Sequence, residues 1–268
     1  MSTLTLDDRD LAPLWYRHGG VDLFATTSGH GRPLVLCHGG LATHLACRRF
    51  AGPLAGRGQV ITPDLRGSGR SRFAGPLSWA LLADDTAALL DAIGAERAVI
   101  GGTSFGGGVA VATALRHPDR VAALLVLHPA YGGAERGLTE AQQAAMAAMA
   151  EAGARTLTAG SAALLPLFTT LPAPLRARAT ALVANYDPAS VAASTAFMAS
   201  GAQPFARCAD LAAITAPVLL VPGVDAQHPP EVAAVYRRHL PRCAEAAAEV
   251  DRLGAAIAAF LDGLATAS

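Results

Sequence analysis

Residues 102–106 read GTSFG, with Ser104 at the centre, a β-branched run before it and small residues at helical spacing after it. At a strand-to-helix junction the pattern G-x-S-x-G permits a turn sharp enough to lift a serine hydroxyl above a sheet. A serine so placed stands at a helix N-terminus, where the amide of Phe105 points toward any oxyanion formed beside it. The chemistry that suits such a group is nucleophilic attack on a carbonyl carbon. Serine at its ordinary pKa is a poor nucleophile and needs a base, and the chain has 8 histidines from which to draw one. In a chain with 27 glycines the motif also has a plain reading, an inert serine at a tight turn.

The elements that must position this serine are legible as short apolar runs alternating with helical patterns. WYRHGG followed by VDLFATTSG reads as a hairpin, and 33–37, 59–64, 97–103, 120–128 and 217–223 read as buried strands. Helical stretches are expected over 43–55, 78–93 and 105–117, then from 230 to 240, with a short strand near 243–250 and a last helix ending at AAIAAFLDGL. Such alternation implies an α/β class with a mostly parallel sheet covered by helices and ligands at the carboxyl ends of the strands. Residues 131–216 have a different texture, Ala-rich helical segments broken by Pro166, Pro172, Pro174 and Pro188. The expected division is a core of 1–130 and 217–268 with an inserted helical cap over 131–216.

Three further stretches share a pattern with the serine motif. CHGG (37–40), PDLRGSGRS (63–71) and PVLLVPGVD (217–225), taken in order with GTSFG, resemble the α/β-hydrolase superfamily over nearly the whole chain. The resemblance implies an α/β-hydrolase fold, an oxyanion hole formed by the amides of Gly40 and Phe105, and Asp225 as the acid of a catalytic triad. Asp225 also has a structural reading as the cap of the following turn. Because the nucleophile position is Ser, the chemistry of the dehalogenase and epoxide-hydrolase branches is not implied.

The chain departs from that pattern at its C-terminal end. The family's triad histidine sits in a loop after the last strand, whereas residues 241–260 here contain no histidine. His228, three residues after Asp225 in DAQHP, is one substitute; His128, ending the strand expected beside that of Ser104, is the alternative base, with neighbouring strands about 4.8 Å apart. His44 is a more distant third, and a site with no dedicated base stays open. His38, Asp64 and Arg66 read as loop-forming residues, and His117 and His239 as histidines at helix C-termini.

Lys plus Arg and Asp plus Glu both number 21, so there is no basic field for nucleic acid or an anionic membrane. The N-terminal residues lack the charge and apolar run of a signal peptide, and a cytoplasmic location is expected. The 4 cysteines form no C-x-x-C pair, so no metal and no disulfide framework is indicated, and no cofactor is implied. The expected partner is a small apolar substrate, and a homodimer is left open. Leu164, Leu165, Leu167, Phe168, Phe197 and Met198 are candidates for an apolar pocket wall or for core. Two functions fit: a hydrolase acting on an ester, thioester or lactone through a serine acyl-enzyme, or a non-hydrolytic protein of the same fold that binds or positions a small molecule.

Overall fold

The computed structural model describes residues 11–54, 56–247 and 253–266. Strands β1 (Ala12–His18) and β2 (Val21–Ser28) form the expected hairpin, closed by Gly19 and Gly20 at φ 55° and 78°. Two positive-φ residues in a two-residue loop match the twist of the flanking strands. Next come β3 (Pro33–Cys37), a 3-10 run His44–Phe50, α1 (Ala51–Leu54) and β4 (Gln59–Pro63). The α-helix expected over 43–55 is therefore mostly a tighter 3-10 winding. Its start is pinned from outside: the Asp64 carboxylate accepts the His44 amide at 2.8 Å, and Ala46 N–H donates to Thr43 O in an i to i+3 turn.

Beyond these lie α2 (Trp79–Ala92), β5 (Ala98–Thr103), α3 (Phe105–Arg116) and β6 (Val121–Leu127). Helix α2 starts where the Ser78 hydroxyl accepts the Leu81 amide, satisfying one of the donors that a helix leaves unpaired. Between β6 and β7 (Val218–Val221) the described elements are all helical: α4 (Glu140–Ala159), a 3-10 run Ser161–Phe168, α5 (Ala173–Val183), α6 (Pro188–Ala199) and a 3-10 run Cys208–Ala213. Prolines punctuate this segment as their missing N–H and fixed φ require, Pro172 and Pro188 at helix starts and Pro166 inside a 3-10 run. The chain closes with α7 (Pro230–His239), β8 (Cys243–Glu245) and α8 (Leu253–Thr266). The strand expected near 243–250 is thus only three residues long, and residues 248–250 of that stretch lie outside the described residues.

The eight strands form one sheet in the order β1-β2-β4-β3-β5-β6-β7-β8, antiparallel at β1/β2 and β2/β4 and parallel from β4 onward. Side-chain alternation divides its core into two faces. Val35, Ile100, Leu124, Val126 and Leu220 pack with α2, α3 and α7, whereas Leu34, Leu36, Val99, Leu125 and Leu219 pack with Leu253, Ile257 and Leu261 of α8. Both faces are apolar because helices cover both, which is why these strands read as continuous hydrophobic runs. The parallel strands end together at one edge, and the turns leaving β3, β5, β6 and β7 carry Gly40, Ser104, His128 and Asp225.

Candidate functional site

Ser104 occupies the turn between β5 and α3 with φ 56° and ψ −115°, a left-handed backbone that costs a non-glycine residue roughly 1–3 kcal/mol. The turn is over-determined by its surroundings. Ser104 N–H donates to Leu127 O at 3.0 Å, and Ser104 O accepts Gly108 N–H at 3.1 Å. A Cβ on Gly102 would collide with the backbone of Gly106, and one on Gly106 with the carbonyls of Cys37 and His38. The flanking glycines thus let helix, elbow and β3 approach to backbone contact, and the serine is held where an unconstrained chain would not put it. Phe105 is the first residue of α3, so its amide has no carbonyl within the helix to serve.

The loop after β3 is fixed from beneath by His38, which is 1% exposed. Its Nδ1 lies 2.7 Å from Gly39 O and its Nε2 3.1 Å from the Leu65 amide nitrogen. The Leu65 N–H must donate, so Nε2 is the acceptor and Nδ1 carries the proton that binds Gly39 O. Burial lowers the His38 pKa, opposed by the nearby Asp64 charge and the bond to Gly39, and the ring stays neutral in this role. Gly40, one residue on, lies so close to α6 that a Cβ would come within 2.6 Å of Met198 Sδ.

The turn after β7 brings together Asp225 and His228. The imidazole Nδ1 lies 2.8 Å and 3.0 Å from the two carboxylate oxygens of Asp225, whose Oδ1 also accepts the amides of Gln227 and His228 at 2.9 Å each. The Asp225 carboxyl is partly desolvated, which would raise its pKa, but His228 and the two amides outweigh this and hold it below the usual carboxylate range. The imidazole is 16% exposed while the carboxylate is 64% exposed, so the pair runs from solvent inward. At its inner end, His228 Nε2 is buried and has no hydrogen-bond partner among the described residues. Ser104 Oγ likewise has no hydrogen-bond partner among them. His128, at φ 47° where β6 ends, donates its amide to Val221 O, and its ring centroid lies 6.2 Å from that of His228. Both candidate bases therefore stand side by side.

Gly40, Ser104 and Phe105 line a cavity of about 60 Å³ with Tyr131, Gln142, Gln227 and the side chains of Met146, Met149 and Met198. Sequence reading reached Met198 but passed over Gln142, Met146 and Met149. Their signal was present: in the Ala-rich helix α4 these larger residues fall at i, i+4 and i+7, on one face. Gln142 is buried, and its amide nitrogen donates to Ala130 O at 2.7 Å and to Gln227 O at 2.9 Å. One side chain thus ties α4 to the turn after β6 and to the loop that carries His228.

Other candidates lie elsewhere. Leu164, Leu165, Leu167 and Phe168 pack with Val183, Tyr186 and Val191 in a separate cluster rather than around Ser104. Their 3-10 run packs against α4 and α5. Phe197 does join the site's back wall, with its ring 5.3 Å from Trp79 and 6.1 Å from Phe105. His44 is bonded through Nδ1 to the fully buried Asp64 at 2.8 Å and lines a different groove with Trp15 and Arg70. Arg66 binds both oxygens of Asp85 and the His18 carbonyl, and His117 pairs with Asp84 at 2.7 Å. These are scaffold contacts: an ion pair at Arg66–Asp85 and hydrogen bonds at His44–Asp64 and His117–Asp84. Among the described residues no group of three or more His, Cys, Asp or Glu could hold a metal ion, and no helix is long and apolar enough to cross a membrane.

A sheet in this order, with a serine on the strand-to-helix turn at its centre, is the architecture of the α/β-hydrolase fold, and the chain belongs to that family: the family profile matches residues 32–189. Among solved structures it is similar to a thermophilic esterase from Thermogutta terrifontis (TM-score 0.76, 23% identity, 94% of this chain and 99% of that one). It is also similar to an enol-lactonase from Burkholderia xenovorans LB400 (TM-score 0.73, 19% identity, 94% and 98%). At these identities the likeness is one of fold. A 2-hydroxymuconate semialdehyde hydrolase from Pseudomonas sp. strain CF600 is 37% identical over 105 residues, 37% of this chain and 37% of that protein. The chain covers less than half the length of the curated relatives it matches.

Proposed function

We propose that this protein is a serine hydrolase that cleaves an ester, thioester or lactone bond of a small apolar substrate through an acyl-enzyme on Ser104. The observation that carries the reading is the His228 imidazole. Its Nδ1 is committed to Asp225, which fixes the tautomer, and its Nε2 is left as a buried acceptor with no partner among the described residues. A buried polar atom without a partner costs stability, roughly 1–3 kcal/mol, and such atoms concentrate where a substrate or a reacting group completes the set.

In this mechanism His228 Nε2 takes the proton from Ser104 Oγ as Oγ bonds to the substrate carbonyl carbon. The amides of Gly40 and Phe105 hold the oxyanion, and collapse expels the alcohol or thiol, which leaves with the proton from His228. Water, deprotonated by the same imidazole, then attacks the acyl-serine and releases the acid and the free enzyme. The helices of 131–216 act as a cap, with Met146, Met149 and Met198 closing the pocket from above. His128, beside His228, is the alternative base.

A second reading rests on the Ser104 hydroxyl, which has no hydrogen-bond partner among the described residues, and on the lack of a histidine over 241–260. In that reading the pocket binds a small molecule without cleaving it. A fluorophosphonate probe separates the two. Labelling of the wild type that is lost in Ser104→Ala supports the hydrolase; absence of labelling, with no turnover of activated esters, supports the binder.

A further inference from the structure

Three arginines each stand one residue before a strand: Arg32 before β3, Arg97 before β5 and Arg242 before β8. They mark the amino edge of the parallel sheet, opposite the edge that carries Ser104. Leu34 pairs with Val99, so Arg32 and Arg97 lie at one level on neighbouring strands, about 4.8 Å apart at the backbone. Val218 pairs with Cys243, which sets Arg242 beside Pro217 and three strands from Arg97, roughly 14 Å away. All three arginines line one cleft, together with Thr215 and the apolar side chains of Val121, Ile214 and Leu264. Their backbones are fixed: Arg32 O accepts the Gln59 amide at 3.0 Å and Arg242 O the Val218 amide at 2.8 Å. Arg97 is fixed at its head as well, where Nη2 donates to Val121 O at 2.8 Å. No Asp or Glu lines the cleft. Of the acids flanking these segments, Glu245 is paired with Arg237, and Glu96 and Asp119 form no ion pair with the three arginines among the described residues. A chain with 21 charges of each sign thus gathers three cations here with no acid in the cleft to neutralise them.

We propose that this cleft binds a small-molecule anion that carries two or more phosphoryl groups. Arg32 and Arg97, side by side, suit one phosphoryl group, whose oxygens accept N–H groups from two guanidinium forks at once. Arg242, across the cleft, holds the negative charge at the other end. A ligand with a single anionic group satisfies one end only, which is why the spacing calls for at least two. The site stands apart from the hydrolase reading: Arg97 and Ser104 flank β5 at its two ends, about 23 Å apart along the strand.

The test is isothermal titration calorimetry of the full chain with sodium tripolyphosphate at low ionic strength, where exposed charges are least screened. The wild type should bind one equivalent saturably, and inorganic phosphate at least about tenfold more weakly. Arg32→Gln and Arg242→Gln should each weaken tripolyphosphate by about tenfold, the loss of one charge-assisted contact. Arg155→Gln, the same change of charge on α4, and Ser104→Ala should bind as the wild type does. Circular dichroism checks that the variants are folded, and either of the two edge variants alone decides. Absence of saturable binding overturns the proposal, as does an Arg155→Gln variant weakened as much as the edge variants, which would mean attraction by net charge alone. Glutarate bound as tightly as tripolyphosphate overturns the phosphoryl assignment, and binding lost in Ser104→Ala would move the anion to the other edge of the sheet.

Discussion

The two halves of the site are built differently. At the Ser104 corner, β3, β5 and α3 meet at backbone contact; Gly102 and Gly106 admit no side chain, and His38 locks the loop before Gly40 with both ring nitrogens. At the corner of the proposed base, Asp225 and His228 share a short turn whose neighbour Val224 is 90% exposed. Its hold on the rest of the protein is local, through its own amides and through Gln142. The first corner is dictated by close packing that leaves no room for a side chain at Gly102 or Gly106; the second is held by a few polar contacts that several sequences could supply. That contrast is consistent with a family pattern kept at the serine and altered at the histidine.

The sharpest way to break the comparison is at the serine. Ser104→Ala should leave only the rate enhancement that binding and the oxyanion hole supply, about 10³ to 10⁴-fold over water. Because Ser104 is at φ 56°, Ser104→Gly should be equally inactive yet resist urea at least as well as Ser104→Ala, by up to about 1 kcal/mol. A glycine variant clearly less stable than the alanine one would show that the turn is not strained. Next comes the base. His228→Ala should cost activity by about 10³-fold or more, and His128→Ala less than tenfold; the reverse order would move the base to the end of β6.

Asp225→Asn should have a smaller effect than loss of His228, about 10- to 100-fold in kcat, because solvent reaches the carboxylate and can replace part of its hold on the imidazole. A loss as large as that of His228→Ala would show that the turn has no such slack. The smallest effect concerns His38 and is read by thermal unfolding. Burial, its main perturbation, lowers its folded-state pKa, so the unfolded chain takes up the proton first as pH falls. The stability that His38 contributes is fully present above the unfolded value of about 6.5 and is lost as pH falls from there toward the folded value. Tm should fall by about 2–4 °C over that window. His38→Gln, which cannot titrate there, should remove this component of the pH dependence.

How much was legible in the sequence follows the same contrast. Strands β3 to β7 and helices α2 and α3 lie within a few residues of their expected ranges, because burial on both faces writes an unmistakable apolar run and the glycine spacing marks the elbow. The α/β-hydrolase fold was legible for the same reason. The 3-10 winding of His44–Phe50 was not, since Asp64, twenty residues on, pins its start. Nor were the methionines of α4 recognised, although they share a face; an alanine-rich helix buries by proximity, and only the packed structure says against what. Asp225 could be named from the family resemblance and His228 from its spacing to Asp225, but the partnerless Nε2 is visible only once the imidazole has been placed.

Gln142 has one more consequence. Its oxygen accepts the Thr139 amide at 3.1 Å, so one buried side chain joins the start of α4, the Ala130 carbonyl and the Gln227 carbonyl. Lifting α4 away from the sheet breaks the last two bonds together, and neither carbonyl can be freed alone without stranding a buried amide proton. In hydrogen-exchange terms, Gln142 couples the first turn of α4 to the loop that carries Gln227, so the Gln142→Ala variant should speed exchange at both places together while the Asp225–His228 bonds stay in place.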